Sequence, residues 1–524
     1  MTSFVSKALV PACLFAAVAA TAVASSSAPP RWLAARDLSE RGADSVIPDV
    51  AVDAKGNVEV VWAQVKSSSW TVQAVHRPAG GPWSAPQALS VPPSHVTSPE
   101  VAIAGTHVVA VWLRSDGQHL IVQTADRDPA TGAWTTAVSL SASGPDAQTP
   151  QIAVDARGDE VAVWASVDLS GWTTLAAFRR AGGPWQPAVA LEPPEPGTAA
   201  PQVVIDPLGN ATVVWAATSG SGWRVHTSYR GATGTWSKAF ALSGPDASGL
   251  IAPQLALEST DDVTAVWSRS IETGTVIELA TRNAAAGTWS NPGQLSPNGP
   301  DALAPQIAVN KRGDGVIVWT SSDKSGLAIV ASIRRPGKAW GAPTTVSSAV
   351  TGPLSPQLAL DALGNALVVW SHPIGNHARV QASGLPAGGT YWSPARTLSS
   401  PGADALTPRP ALDADGDGAV TWVRYGGQSG VVQGVGYDRN GPELKKLSMP
   451  AAGLVGRRLS FTVSPLDVWS AVRTVRWTFG DGAGGSGKLT GHTYNRPGRY
   501  AARVTATDAV GHVTSVRRWI TIAE

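Results

Sequence analysis

The stretch "PQIAVDARGDEVAVW" spans residues 150–164, and its phrasing returns as "PQVVIDPLGNATVVW" (201–215) and "PQLALDALGNALVVW" (356–370). Each copy places two apolar runs around a short polar turn that contains Gly. That is the pattern of a β-hairpin, with the Gly suited to a positive-φ position. The Trp that closes the phrase recurs at Trp62, Trp112, Trp164, Trp215, Trp267, Trp319, Trp370 and Trp422. The steps are 50, 52, 51, 52, 52, 51 and 52 residues, which defines eight modules. A second series, Trp83, Trp134, Trp185, Trp236, Trp289, Trp340 and Trp392, sits in phrases such as "GPWSAP" and "GTWSNP". The two series account for most of the 22 tryptophans.

Working outward, each module reads as four short strands. "QIAVD" and "EVAVW" are the first two, "LIVQTADR" (120–127) is of the third type, and "WTTAVSLS" (134–141) is of the fourth. A crossover such as "ASGPDAQTP" (142–150) leads to the next first strand. Four antiparallel strands repeating at about 50 residues predict an all-β chain built as a β-propeller. Trp32 lies 21 residues before Asp53, the spacing that separates Trp134 from Asp155. "RWLAARDLS" (31–39) is therefore a fourth strand without a module before it, and the module of Trp422 lacks one. The expectation is an eight-bladed β-propeller over 25–440, closed by the N-terminal strand, since closure removes two sheet edges.

Composition narrows the class. The formal net charge is +2 and 15% of residues are charged, with no dense Lys/Arg run, which argues against nucleic acid as a partner. Residues 1–24 read as a secretory signal peptide, with Lys7 before an apolar run that ends in "AVA" at Ala24. No later stretch has the roughly 20 apolar residues of a spanning helix. Cys13 is the only cysteine and lies in that leader, so a processed chain would have neither disulfides nor thiolate chemistry. The expected product is a secreted, extracellular monomer held by its core.

After about Gly441 the period stops. The segment "VRWTFGDGAGGSGKLTGHTYNRPGRYAARVTATDAVG" (475–511) carries Trp477, Phe479, Gly480, Asp481 and Gly482, then His492, Tyr494, Pro497, Gly498 and Tyr500. This closely resembles the PKD family, with Ala506 where that family favours a larger apolar residue. The resemblance implies an immunoglobulin-like β-sandwich over 441–524, used as a spacer or interaction module. "GTWSNP" (287–292) and "VDAKGNVEVVW" (52–62) resemble, loosely, Asp-box and NHL-type propellers of secreted bacterial proteins. Most Ser and Asp of the box are missing, and no catalytic assignment follows.

Four residue series are candidates for function. Asp53, Asp155, Asp206, Asp361 and Asp413 end first strands and suit turn capping through their own side chains. "DADGDG" (413–418) resembles a calcium loop, so Asp413, Asp415 and Asp417 are the candidate ligands and calcium the one candidate cofactor, although the distal Glu is absent. Crossover acids Asp44, Asp146, Asp246, Asp301 and Asp404, with the glutamines that follow (Gln151, Gln202, Gln254, Gln306, Gln357), would place a polar ring around the channel. Trp70, Trp172 and Trp223 each fall eight residues after a module Trp and would suit sugar stacking. No pair of placed carboxylates, metal-spaced His pair, phosphate loop or nucleophile elbow stands out. The leading expectation is a non-enzymatic protein that binds an extracellular glycan or protein. The alternative is a carbohydrate-active enzyme, and a unique charged cluster on the channel face would favour it.

Overall fold

The computed structural model describes residues 29–524 except 92–94, 220–221, 233, 247–251, 259, 325, 351, 353 and 428. The leader and Cys13 lie outside the described residues. The described elements are all strands, and no described helix is long and apolar enough to cross a membrane. The chain divides into compact units that part at Asn440 and Gly441.

Within Pro29–Asn440, successive sheets repeat one plan, each with its four strands in chain order. Sheet 3 shows it: Asp146–Val154, Glu160–Asp168, Gly171–Arg179 and Val189–Ala190. We number the sheets 1 to 8, from the one that begins with Asp44–Val52 to the one that begins with Asp404–Leu412. They have the form of propeller blades. In sheet 8 the fourth place is taken from the N-terminus: Arg31 and Trp32 pair with Asp438 and Tyr437, and Arg36 and Asp37 with Gly434 and Gln433. The Trp32 and Tyr437 rings lie 4.6 Å apart. Each first strand packs on the next, and Asp44–Val52 packs on Asp404–Leu412.

The second strands explain this stacking. In "EVAVW" both faces are apolar, as a sheet covered on both sides requires. Val161 and Val163 join the cluster of Trp215 in sheet 4. Ala162 and Trp164 join Val111 and Leu113 of sheet 2. All eight module tryptophans are fully buried. The second Trp series is half-buried and packs at the edges of the same clusters.

Two features differ from the sequence reading. Fourth strands shrink to two paired residues, such as Val138–Ser139, though Trp134, Trp236 and Trp289 each add a bridge to the third strand. First strands in six sheets reach back to the crossover through a β-bulge, with register shifts such as Gln148/Gln151 and Leu303/Gln306. Pro at the bulge has no N–H to lose from the ladder, so the strand tolerates it there.

The hairpin turns behave as capped turns. Asp155 Oδ1 accepts the N–H groups of Arg157 (2.9 Å) and Asp159 (3.0 Å). Asp53, Asp206, Asn310, Asp361 and Asp413 repeat that pair of bonds. Gly158 sits at φ 90° in such a turn, and a Cβ there would come within 2.6 Å of the His107 ring.

Gly441–Glu524 forms two sheets with the immunoglobulin-like plan. Phe461, Trp477, Phe479 and Tyr494 fill the core. Trp477 and Phe479 alternate onto the same face, as the period of two requires. Asp481 Oδ2 lies 2.7 Å from His492 Nε2, and the His492 ring stacks on Phe479 at 4.1 Å. Burial alone would raise the Asp481 carboxyl, but the Ala483 N–H and His492 outweigh it and hold it below its usual range. This pair braces the "GDG" turn. Gly480 (φ 88°) is required there, since a Cβ would meet Ala501 N at 2.6 Å.

Candidate functional site

Each of the eight modules carries a Pro at the same place, within the first strand or just before it: Pro48, Pro99, Pro150, Pro201, Pro253, Pro305, Pro356 and Pro408. The residue after it forms a row across the sheets. Five sheets place glutamine in it, Gln151, Gln202, Gln254, Gln306 and Gln357. Sheets 1, 2 and 8 place Asp49, Glu100 and Arg409. All eight side chains are half-buried, so each keeps some access to solvent.

The bulge helps to set this row. Two residues before the row position, Ile47, Ser98, Thr149, Ala200, Ala304 and Thr407 have φ between 46° and 52°. Left-handed backbone costs about 1–2 kcal/mol for a residue with a Cβ, and the following Pro disfavours it further by confining its predecessor to extended conformations. Strain of this kind persists only where the surroundings fix it. Two residues after the row lie Ala51, Ala102, Ala153, Val204, Ala256, Ala308, Ala359 and Ala411, on the same side of their strands. A polar row thus stands beside a row of small apolar residues.

The charged members are neighbours. Arg409 Nη1 donates to Gln357 Oε1 (2.6 Å), and its Nε lies 4.0 Å from Asp49 Oδ1. Asp49 Oδ2 accepts the Val101 N–H at 2.9 Å. Glu100 is hydrogen-bonded to both Asp49 and Gln151. Burial and the Asp49 charge push the Glu100 carboxyl up to about 8. Burial also raises Asp49, against the pull of Arg409 and the Val101 N–H. Burial and the proximity of the two carboxyls therefore favour a proton held between Glu100 and Asp49. The arrangement offers amide donors and acceptors, a hydrogen-bonded pair of carboxyls and one guanidinium.

The other candidate residues have local roles. Asp146 Oδ1 accepts the Leu120 N–H (2.8 Å) and Asp301 Oδ1 the Thr275 N–H (2.8 Å), each tying a crossover to the preceding third strand. Asp44 does the same for Gly430 (2.6 Å) and Asp404 for Ala378 (2.8 Å), while Asp246 accepts from Ser270 (2.5 Å). These acids brace crossovers. Trp70 packs on His95 (4.7 Å), Trp172 exchanges backbone bonds with Glu195, and Trp223 lies against Gly197. All three tryptophans are half-buried against crossovers. Asp413 caps its turn, Asp415 is exposed, and Asp417 accepts the Arg439 N–H at 2.5 Å. Among the described residues, these three carboxylates do not bring ligand oxygens together as calcium needs. Burial, with the Asp413 charge adding, pushes Asp417 up to about 8.

The fold and this row define an all-β chain of propeller-like repeated sheets with an appended immunoglobulin-like domain. Residues 441–522 match the model of the PKD domain family, so this segment is a PKD domain. No curated protein matches the chain. Among solved structures, the chain is similar to a Dyadobacter fermentans protein of unknown function, with 13% identity, 79% of this chain and 100% of that one covered, and a TM-score of 0.41. It is similar to a polysaccharide lyase, with 10% identity, 65% and 89% covered, and a TM-score of 0.45. It is also similar to the leech intramolecular trans-sialidase, with 10% identity, 73% and 65% covered, and a TM-score of 0.32.

Proposed function

We propose that this is a secreted, non-enzymatic recognition protein. In this reading residues 29–440 close into an eight-bladed propeller, the row described above becomes an axial ring, and the PKD domain serves as a spacer or second contact. The observation that carries the proposal is the ring's chemistry. Five carboxamides supply both donors and acceptors without net charge, which suits a polyhydroxylated ligand such as a glycan. Pairing of Arg31–Trp32 and Arg36–Asp37 with the last third strand supports closure. A glycan array probed with the full chain tests the reading. We expect selective glycan binding that is lost when Gln254 and Gln306 are both replaced by Ala. A fully folded double variant that retains the parent's glycan profile would overturn it.

A second reading, a carbohydrate-active enzyme, draws on one observation: Asp49 and Glu100 are hydrogen-bonded carboxyls beside Arg409. Their geometry does not favour glycoside hydrolysis. The two carboxyls of such enzymes stand roughly 5–9.5 Å apart so that the sugar, or sugar and water, fits between them. Asp49 and Glu100 are in direct hydrogen bond. Turnover of a polysaccharide by the parent and its loss in Glu100→Gln would move the assignment to this class.

A further inference from the structure

Third strands of sheets 2 to 6 end in arginine: Arg127, Arg179, Arg230, Arg282 and Arg334. Each reaches toward the preceding sheet. Three of them meet carboxylates there or in their own sheet. Arg127 Nε lies 3.7 Å from Glu59, Arg179 binds Asp126 and Glu160, and Arg334 forms a two-pronged pair with Glu258 at 2.6 and 3.0 Å. In sheets 4 and 5 an aromatic ring replaces the carboxylate: Arg282 of sheet 5 lies over the Tyr229 ring at 3.7 Å, and Arg230 of sheet 4 lines a cavity. Phe178 takes the place that Asp126 holds one module earlier, and Arg230 lies over its ring at 3.6 Å. Arg230 is 6% exposed. Its Nη1 makes only long bonds, 3.3 and 3.4 Å, to the Gly231 and Ala232 carbonyls. Among the described residues, no carboxylate lies within ion-pair distance of it.

A buried guanidinium without an anion is costly. Here it lines a cavity of about 400 Å³ between sheets 3 and 4, with Phe178, Gln186, Leu191, Trp236 and Lys238. The groove between sheets 2 and 3 is the internal control. It has a similar volume, about 460 Å³, and the same kind of wall with Trp185 and Pro187, but its Arg179 is already neutralised by Asp126 and Glu160. Burial, with the Arg180 charge adding and Asp159 opposing, pulls the Arg230 pKa down, as expected of a cation short of anions.

We infer that the groove between sheets 3 and 4 is a second binding site, for an organic anion whose carboxylate meets Arg230 and Lys238 while a ring-sized body lies along Trp236. Guanidinium and carboxylate match as a fork. Gln186 and Thr235 supply hydrogen-bonding groups around the rim. The site is separate from the Gln row, so it stands or falls apart from the proposed glycan recognition there.

Calorimetric titration of the full chain with glucuronate, against the uncharged isostere glucuronamide, tests it. We expect saturable glucuronate binding at least about tenfold tighter than glucuronamide, the size of a charge-assisted contact. Arg230→Met should remove that preference. Lys238 is exposed, so Lys238→Glu should fold normally and weaken glucuronate severalfold. Equal binding of the two probes, no glucuronate binding in the millimolar range, or a preference indifferent to Lys238→Glu would overturn the site.

Discussion

Two positions of the first strand recur once per module and behave in opposite ways. At the strand's end, the turn position keeps one chemistry in six of the eight sheets: Asp53, Asp155, Asp206, Asn310, Asp361 and Asp413 each hold the same pair of backbone N–H groups, while Ala104 and Glu258 stand there in sheets 2 and 5. Four residues earlier, the row position is glutamine in five sheets and then Asp49, Glu100 and Arg409 in three adjoining ones. A residue type that does the same local work in sheet after sheet is architecture. A position that breaks its own repeat, in neighbouring sheets and with side chains that touch one another, is where a single site can be built. The same reasoning separates Arg179, matched by carboxylates, from Arg230, which is not.

The three charged row members lie where the last sheet meets the first, and this gives the largest expected effect. Removing residues 29–40 strips Trp32 from Tyr437 and leaves Ser429–Asp438 as a bare edge. We expect aggregation, or a melting temperature lowered by ten degrees or more, on the order of several kcal/mol. A deletion variant that melts like the parent would show that this seam contributes nothing to stability.

Turn and row should then part company under single substitutions. Asp206→Ala removes the acceptor of the Leu208 and Asn210 N–H groups and of Asn210 Nδ2. Losing three part-buried bonds should cost about 1–3 kcal/mol in denaturant unfolding. Gln254→Ala should cost less than about 1 kcal/mol, because its effect belongs to ligand recognition. Equal losses for the two would collapse the distinction between architecture and site.

Much of this was legible in the sequence, and the omissions have physical causes. The Trp period announced the sheets, because a residue packed between neighbours must recur with them. The turn acids were legible because an Asx cap is a local device, complete within five residues. The row was legible only in its glutamines. Aligning on Pro48, Pro99 and Pro408 would have added Asp49, Glu100 and Arg409, but unlike side chains hide a shared position from a reading keyed on side-chain identity. The bulge left no mark beyond that Pro, since Ile47, Thr149 and Thr407 are ordinary strand formers. The pairing of Arg179 with Asp126 joins different modules and depends on how sheets stack, which periodicity does not specify.

Acidity sharpens the contrast within the row. Glu100 titrates near 8 in the fold against 4.5 as a free side chain. The folded state therefore binds its proton more tightly than the unfolded state. Its contribution to stability is fully present below pH 4.5 and is lost as pH rises toward 8. Glu100→Gln keeps a neutral donor toward Asp49, so the variant should lose less stability than the parent between pH 5 and 8, by on the order of 1–3 kcal/mol. Parallel stability profiles for parent and variant would mean that Glu100 is ionised in the fold.

The smallest expected effect concerns the bulge that aims the row. Thr149 is a β-branched residue at φ 46°, directly before Pro150. Glycine there would relieve about 1–2 kcal/mol of backbone strain, against about 0.4–1 kcal/mol from the greater freedom of the unfolded chain. Thr149→Gly should thus be neutral or stabilising by up to about 1 kcal/mol. Ser355 holds the same place in sheet 7, where the first strand begins only at Gln357 and the backbone does not enter the left-handed region. Ser355→Gly has no strain to relieve and should destabilise by about 0.5–1 kcal/mol. Opposite signs for these two exposed positions, read from paired denaturant curves, would locate the strain in the bulge. The same sign at both would mean that the sheets with the bulge reach their row geometry at no backbone cost.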